Sequence, residues 1–303
     1  MGARAEQLEV RVRSKTGIVT LYFTPTIIPN WRITVTNTTL SAGYFQSGLP
    51  YNRSGHGPRP LVVFQGLTFE NKPQGRLKFF FYKFLEDDYV VYEVLRKPGL
   101  PKDYTMQDMA NDYAVMIQEE FGGPVDVIGI STGGSIVQHF AADHPQLVRR
   151  LVIHSSAYTL AESAKQLQME VGRLAEQGKW WHANALLVAS VMPRAGLLKY
   201  LSQPLVWLAS TLMSLKPPED PSDLVVTVLA EDQFNFRERL AEIQAPTLVV
   251  AGMQDPFYTP ALFRETAAGI PNARLILYEG MGHPASGKQF AKDLLAFLRE
   301  ERS

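Results

Sequence analysis

Hydrophobic residues from position 61 onward form short continuous runs, separated by segments with helical spacing. Short runs that are apolar throughout are typical of strands buried on both faces of a parallel sheet. The first four runs lie at residues 61–64, 89–95, 125–130 and 151–154. A helix is predicted from the N-cap candidate Thr105 to Phe121, where Gly122 ends it, and another over 133–144. This alternation predicts right-handed βαβ crossovers and a mostly parallel sheet.

The alternation stops at residue 157 and resumes at a strand over 247–252. A helix at 260–268, a strand at 273–278 and a final helix from 287 to about 301 follow. Between them, residues 158–243 have helical patterning and no clear strand. The sequence therefore predicts an α/β core made of 1–157 and 244–303, with a helical cap or lid inserted over the carboxyl edge of the sheet, where open α/β sheets bind ligands.

The first sixty residues have a different pattern. Residues 8–13 and 31–36 alternate between apolar and polar side chains, and prolines interrupt the chain between them. This pattern predicts antiparallel edge strands. Residues 48–60, rich in glycine, proline and arginine, are predicted to form an exposed loop.

Composition excludes several classes of protein. The 303 residues are 46% apolar and 20% charged, with 30 basic and 30 acidic side chains, so no basic footprint for nucleic acid is present. Without any cysteine, the chain has no disulfide, thiolate metal site or cysteine nucleophile. No histidine–carboxylate cluster has the spacing of metal ligands, and we expect no cofactor. The N-terminus lacks the apolar region of a secretory signal, which predicts a cytoplasmic protein.

The most apolar stretch, residues 195–215, is long enough to suggest a membrane span. Lys199, Gln203 and Pro204 interrupt it. We therefore expect a pair of cap helices and no stable span, although contact of the cap with a lipid interface stays open.

The strongest chemical signal is the motif Gly-Ile-Ser-Thr-Gly at residues 129–133. Chance can supply such a pentapeptide, but here an apolar strand leads into it and a helix rich in small residues follows. A strand, a tight turn and a helix form a nucleophile elbow, which lifts the hydroxyl of Ser131 above the sheet. The backbone N–H of Thr132 can then face a developing oxyanion.

A serine hydroxyl needs a nearby base to act as a nucleophile at neutral pH. His283 is the best candidate, because it lies in a glycine-rich loop between a late strand and the terminal helix. His154 ends a strand and could approach the pocket, although a hydrogen-bonded structural role is favoured. His139 and His144 are predicted to point away from the serine or to lie too far along their helix, and His56 and His182 are predicted to have a structural or surface role.

Asp255 is predicted to orient His283, since it follows the strand after the cap. By itself, an aspartate at this place could also be a turn residue. The chain order serine, aspartate, histidine is the one expected of this type of site. A second oxyanion donor should come from the loop after the first buried strand, where Gly66 lets the chain turn and the N–H of Leu67 can face the serine.

From about residue 61 to 298, outside much of the cap, the chain resembles the α/β-hydrolase superfamily, and within it the small capped serine esterases and lipase-like hydrolases. The resemblance rests on the elbow at 129–134, the acid loop at 252–255 and the histidine loop at 280–283. Many relatives have His-Gly where this chain has Gln65-Gly66, which changes the floor of the oxyanion hole. Relatives with aspartate at the elbow, the haloalkane dehalogenases and epoxide hydrolases, are excluded by Ser131.

The predicted function is hydrolysis of a carboxylic ester with a hydrophobic part, because aromatic residues of the cap should line the pocket. Gln65, Trp181 and Trp207 are the pocket candidates, although most cap aromatics should serve packing. Three alternatives remain. The same triad could act on a thioester, a carbon–carbon bond or as a perhydrolase; the fold could be a receptor with negligible turnover; or the protein could be a lipase that acts at membranes.

Overall fold

The computed structural model describes residues 8–14, 17–23, 41–73, 81–192 and 199–300. Within these residues, an eight-stranded sheet is the centre of the fold, and a separate antiparallel pair precedes it. The pair is β1 (Leu8–Ser14) and β2 (Gly17–Phe23). The sheet contains β3 (Ser41–Tyr44), β4 (Pro50–Gly55), β5 (Arg59–Phe64), β6 (Tyr89–Val94), β7 (Val125–Ile130), β8 (Val148–His154), β9 (Thr247–Gly252) and β10 (Ala273–Tyr278).

The helices fall into two groups. Four accompany the sheet: α1 (Met106–Phe121), α2 (Thr132–Asp143), α7 (Pro260–Gly269) and α8 (Lys288–Arg299). Four more lie between β8 and β9: α3 (Glu162–Glu176), α4 (Trp180–Val191), α5 (Lys199–Met213) and α6 (Ser222–Asp232). We call the second group the helical insertion. No helix among the described residues combines the length and the apolarity that a membrane crossing requires.

The strand order is β10-β9-β8-β7-β5-β6-β4-β3. Strands β5 to β10 run parallel to one another, and β4 is antiparallel to both β3 and β6. The carboxyl ends of β5, β7, β9 and β10 therefore lie along the same edge. The loops that leave this edge carry the predicted chemical groups.

Both faces of the sheet are buried, which explains why its central strands are apolar throughout. Alternate residues of β5 belong to opposite cores, with Val62 and Phe64 on one face and Leu61 and Val63 on the other. The first core is filled by α1, α2 and α7, and the second by α8 with the turn before β6.

Helix α1 shows how local sequence determines an element boundary. The Thr105 hydroxyl accepts a hydrogen bond from the N–H of Asp108, whose carboxylate accepts one from the N–H of Thr105. This reciprocal capping box satisfies two N–H groups that the helix leaves unpaired. Gly122 ends the helix with φ of 66°, a conformation that favours glycine. Both boundaries agree with the prediction.

Two predictions about elements were wrong, and a third is confirmed only in part. Residues 48–60 are not a loop, because β4 occupies Pro50–Gly55 and β5 starts at Arg59. The antiparallel strand predicted at 8–13 exists, but it pairs with β2 in a separate sheet and is not an edge of the main sheet; the stretch 31–36 lies outside the described residues. The apolar stretch 195–215 does not contain a pair of helices within its described part, because α5 continues through Pro204.

Candidate active site

Ser131 lies at the turn between β7 and α2 in a strained conformation, with φ of 53° and ψ of −126°. A non-glycine residue rarely adopts positive φ, and such strain is concentrated at functional sites. The glycines of the motif make the turn possible. A Cβ on Gly129 would lie 2.4 Å from Val137 Cγ1, and a Cβ on Gly133 would lie 1.9 Å from the Phe64 carbonyl oxygen.

Replacing Gly133 with alanine is expected to lower the free energy of unfolding by about 3 kcal/mol or more, because the carbonyl of Phe64 cannot move out of the sheet without breaking its pairing. Gly123→Ala is the matched control, since a Cβ at Gly123 meets open space. Urea unfolding of the two variants measures the difference. Equal stability would show that the elbow does not require glycine at 133.

Ser131, His283 and Asp255 form a continuous hydrogen-bonded chain. The Ser131 Oγ lies 3.0 Å from Nε2 of His283, and Nδ1 of His283 lies 2.7 Å from Oδ2 of Asp255. The Asp255 side chain is fully buried and that of His283 is 8% exposed. With Nδ1–H donating to the carboxylate, Nε2 is left as an acceptor that faces the serine hydroxyl.

The carboxylate of Asp255 is held by its own loop as well as by His283. Its Oδ1 accepts hydrogen bonds from the backbone N–H groups of Phe257 (2.9 Å) and Tyr258 (3.2 Å). Three hydrogen-bond donors therefore hold the orientation of the side chain. The rings of Phe257 and Tyr258 also flank His283, at centroid distances of 4.7 and 6.2 Å.

Close packing of two neighbouring loops brings the acid and the base together. Strands β9 and β10 are adjacent, and the N–H of Gln254 donates to the carbonyl of Met281. A Cβ on Gly252 would lie 2.2 Å from that same carbonyl oxygen. Glycine at 252 thus lets the two loops approach each other.

The two predicted oxyanion donors lie on elements that meet at Ser131. Thr132 is the first residue of α2, and Leu67 follows Gly66, where an added Cβ would lie 3.2 Å from Ser131 Cβ. Neither N–H donates a hydrogen bond to another residue within the described ranges. Two free N–H groups beside the serine fit the predicted oxyanion hole, whose role stays a prediction.

Comparisons with known proteins identify the family of this chain. The profile of the family described as "alpha/beta hydrolase fold" matches residues 93–287, which is more than half of the chain. The chain belongs to the α/β-hydrolase family. This confirms the resemblance and the fold class inferred from the sequence.

Individual relatives are distant. The chain is 25% identical over 187 residues to "Putative carbamate hydrolase RutD" of Klebsiella pneumoniae, covering 61% of this chain and 68% of the relative. It is 27% identical over 271 residues to a poly(3-hydroxyalkanoate) depolymerase of Ectopseudomonas oleovorans, covering 80% and 85%. Among solved structures, the hydrolase MGS-M2 from a deep-sea metagenome library superposes with a TM-score of 0.72 at 16% identity, covering 87% of this chain and 98% of that one.

Glu231 is a residue of this hydrolase that the sequence did not single out. It is fully buried at the end of α6, where its carboxylate accepts hydrogen bonds from the hydroxyls of Thr132 (2.7 Å) and Ser135 (2.9 Å). Burial raises the pKa of Glu231, and hydrogen bonds from neighbouring side chains oppose the rise. The insertion is thus tied to the first turn of the elbow helix by a buried polar contact. Nothing in the sequence pattern of α6 indicates that contact.

His154 is a structural residue, as the favoured interpretation had it. The Tyr82 hydroxyl donates to its Nδ1 (2.7 Å), and its Nε2–H donates to the carbonyl of Ala285 (2.8 Å), two residues after His283. Burial lowers the pKa of His154 to about 3, so this histidine is neutral and supports the histidine loop. His139 and His144 contact Arg239 and Asn111 respectively, in line with the prediction that they point away from the serine.

His154 predicts a pH dependence of stability. A histidine whose pKa falls from 6.5 unfolded to about 3 folded binds fewer protons in the folded state, so stability decreases as the pH falls below 6.5. Between pH 7.5 and pH 5 this group should cost about 2 kcal/mol of unfolding free energy. Urea unfolding at both pH values should show this loss in the wild type and a smaller one in His154→Gln. Identical pH dependence in the two proteins would contradict the assignment.

The predicted pocket residues lie at different depths. Gln65 is half-buried at the start of the loop over residues 65–69, which we call the oxyanion loop because it carries the predicted donor Leu67. Trp181 on α4 and Trp207 on α5 are 37% and 59% exposed, and the indole N–H of Trp181 donates to the Thr211 hydroxyl. Trp180 instead packs edge-on against Phe69 of the oxyanion loop, with ring centroids 5.9 Å apart. Of the neighbouring tryptophans Trp180 and Trp181, Trp180 is therefore the one that contacts the oxyanion loop. The pocket roles of Gln65, Trp181 and Trp207 stay predictions.

Proposed function

We propose that this hydrolase cleaves carboxylic esters with a hydrophobic part through an acyl-enzyme intermediate on Ser131. The observation that carries the proposal is the hydrogen-bonded chain from Ser131 through His283 to the buried carboxylate of Asp255. Each member has the geometry that nucleophilic catalysis by serine requires.

In the proposed reaction, the Ser131 Oγ attacks the ester carbonyl carbon while its proton passes to Nε2 of His283. The carbonyl oxygen becomes an oxyanion, which accepts hydrogen bonds from the N–H groups of Leu67 and Thr132. His283 then donates the proton to the departing alkoxide, which leaves as an alcohol. A water molecule then attacks the acyl-serine while its proton passes to His283, and His283 returns that proton to the Ser131 Oγ as the acid is released.

The helical insertion supports a hydrophobic substrate. Leu67 and Phe69 of the oxyanion loop pack against a buried apolar cluster of the insertion: Val171, Ala175, Ala183, Leu224 and Val228. The insertion therefore covers one side of the loop next to Ser131 with apolar side chains, as a cap would. The partly exposed side chains of Leu67 and Phe69 give this loop an apolar surface, which favours apolar groups of a substrate. A relative named for depolymerising a polyester supports the choice of the ester bond, whereas the relative named for carbamates makes carbamates the first competitor.

The test is a substrate panel on the purified protein. p-Nitrophenyl esters of increasing acyl length, the matching thioesters and carbamates, and vinylogous diketones should be compared by kcat/KM. We expect esters to exceed the other classes by at least about tenfold, with an increase from acetate toward medium chains as apolar contact grows. A higher kcat/KM for any other class would replace the ester assignment while keeping the triad.

A receptor built on this fold would give a different result. A fluorophosphonate probe should label Ser131 in the wild-type protein, because the probe reports an activated serine. Folded protein that stays unlabelled and turns over no member of the panel would favour the receptor.

One observation favours a second candidate, a hydrolase that acts at a lipid interface. Helix α5 and the turn that follows it expose large apolar side chains, among them Trp207, Leu212 and, at 69% exposure, Leu215. Exposed apolar patches of this kind mark interaction surfaces. Co-sedimentation with phosphatidylcholine liposomes should fall for Trp207→Ser with Leu212→Ser, but not for Met169→Ser on α3, if α5 contacts lipid. No wild-type binding would eliminate this candidate.

A further inference from the structure

Arg96 is a buried charge that the proposed mechanism does not use. It lies two residues after the end of β6, is 1% exposed, and is the largest fully buried side chain among the described residues. Burying a guanidinium is costly unless its donors are satisfied, and Nε of Arg96 has no hydrogen-bond partner within the described residues. A costly arrangement of this kind needs a specific explanation.

The contacts of Arg96 converge on the oxyanion loop. Its Nη1 donates to the carbonyl oxygens of Gln65 (3.2 Å) and Gly66 (3.0 Å), and its Nη2 donates to the Thr68 hydroxyl (2.8 Å). One side chain thus holds three groups within four successive residues of the loop. Such a fork fixes the direction of each peptide more tightly than one hydrogen bond could.

One of these contacts bears directly on the oxyanion hole. The Gly66 carbonyl and the Leu67 N–H are the two ends of one planar peptide group. A cation that donates to the carbonyl withdraws electron density from the peptide and makes its N–H a stronger donor. It also fixes the rotation of the peptide plane, so that the N–H points away from Arg96. Gly66 lies against Ser131, which places this peptide at the site of reaction.

We propose that Arg96 is a positioning residue of the oxyanion hole, which orients and polarises the Gly66–Leu67 peptide so that the Leu67 N–H stabilises the tetrahedral intermediate. This role rests on the proposed function, because it requires an oxyanion at Ser131. Arg96 does not touch the substrate and acts through the peptide.

The surroundings keep Arg96 charged and the loop fixed. Burial lowers the pKa of Arg96, while Tyr113 and the carboxylates of Glu231 and Asp223 raise it, so the guanidinium stays protonated. The far end of the loop is held from the insertion. The Thr68 hydroxyl donates to Asn71, and Asn71 donates to Asp223 on α6 (3.2 Å). The loop is therefore fixed by Arg96 from the sheet and by Asp223 from the insertion.

The test compares Arg96→Met and Arg96→Lys with Arg150→Met. Arg150 is a matched control, since it is a buried arginine on β8 that donates to the Glu300 carbonyl, at the opposite end of the strand from His154. The turnover rate on the best ester is expressed per active serine. The concentration of active serine is measured by letting a fluorophosphonate label Ser131 to completion. This removes differences in the folded fraction.

Arg96→Met should lower kcat about a hundredfold, the effect of losing one oxyanion donor, with KM changed less than about threefold. Arg96→Lys, which keeps the charge but not the fork, should recover part of the rate. A trifluoromethyl ketone forms a tetrahedral adduct with serine and so resembles the intermediate. In each Arg96 variant, its Kd should rise by the same factor by which kcat/KM falls. Arg150→Met should keep the wild-type kcat for each labelled serine.

Hydrogen exchange gives a readout that needs no turnover. The amides of residues 65–69 should exchange faster in both Arg96 variants than in the wild type or Arg150→Met. Unchanged exchange, or a kcat for each labelled serine within about threefold of the wild type, would overturn the role of Arg96. If Arg96→Met does not fold, Arg96→Lys decides by its hydrogen exchange at residues 65–69, which should be faster than in the wild type. A wild type that hydrolyses nothing and takes no label would instead overturn the proposed function, together with the role built on it.

Discussion

Ser131→Ala is expected to lower kcat for p-nitrophenyl esters by about a million-fold, to the residual rate that binding and the oxyanion hole can support. The physical reason is the loss of the nucleophile. Without the Oγ that lies 3.0 Å from His283 Nε2, no acyl-enzyme can form, and hydrolysis must proceed by direct attack of water. Steady-state rates and the loss of fluorophosphonate labelling measure the effect.

Ser54→Ala is the matched control for this experiment. Ser54 is a buried serine on the antiparallel strand β4, where it hydrogen-bonds Glu86, away from the carboxyl edge of the parallel strands. It should keep the wild-type kcat and labelling. More than about 1% of wild-type turnover in Ser131→Ala would mean that another group is the nucleophile.

Asp255→Asn is expected to lower kcat by about 10⁴-fold with little change in KM. An amide in place of the carboxylate can donate to Nδ1 of His283, which puts the proton on Nε2 and leaves no acceptor for the serine hydroxyl. It also removes the charge that stabilises the imidazolium formed in the reaction. Because the N–H groups of Phe257 and Tyr258 can still bind the side-chain oxygen, the loop should keep its structure.

Asp126→Asn separates this effect from simple loss of a buried charge. Asp126 is also fully buried, but it pairs with Arg149 near the start of β7, at the end of the strand away from Ser131. This variant should lose stability and keep its kcat. If both variants lose activity equally, the effect of Asp255 is structural and its orienting role is wrong.

Much of the candidate site could be predicted from the sequence. Local patterns locate its strands and loops, and the parallel order of the strands places those loops at one edge of the sheet. Apolar runs indicated β7, β9 and β10, and the groups of interest directly follow those runs. Parallel strands joined by right-handed crossovers place their carboxyl ends on one edge. Ser131, Asp255 and His283 could therefore be expected to meet, although the 3.0 and 2.7 Å distances could not be known.

Other elements depend on partners that are distant in the chain. Residues 50–55 have the composition of a loop, with Pro50 at one end and Gly55 at φ of 84° at the other. They form β4 because hydrogen bonds to β3 and β6 compensate for the weak local propensity. Similarly, Pro204 predicts a break, but α5 continues through it, so the apolar stretch forms one helix in its described part.

Arg96 and Glu231, which the sequence did not single out, share one property. Each is a charged residue whose side chain is buried against partners that are distant in the sequence. Arg96 reaches back about thirty residues to Gln65, and Glu231 reaches back about a hundred to Thr132. Charged residues are ordinarily exposed, so a sequence pattern assigns them to the surface. Only the folded structure reveals that they support the loop and the helix beside the nucleophile.

The sequence by itself determined the α/β alternation, the elbow and the order of Ser131, Asp255 and His283, since each is encoded within a few neighbouring residues. The tertiary structure alone decided which charges are buried beneath the site, which tryptophan packs against Phe69, and how Arg96 holds the Gly66–Leu67 peptide. The physical reason is that local propensities act between neighbouring residues, whereas burial and hydrogen bonding of a side chain depend on what the folded chain brings to it from elsewhere.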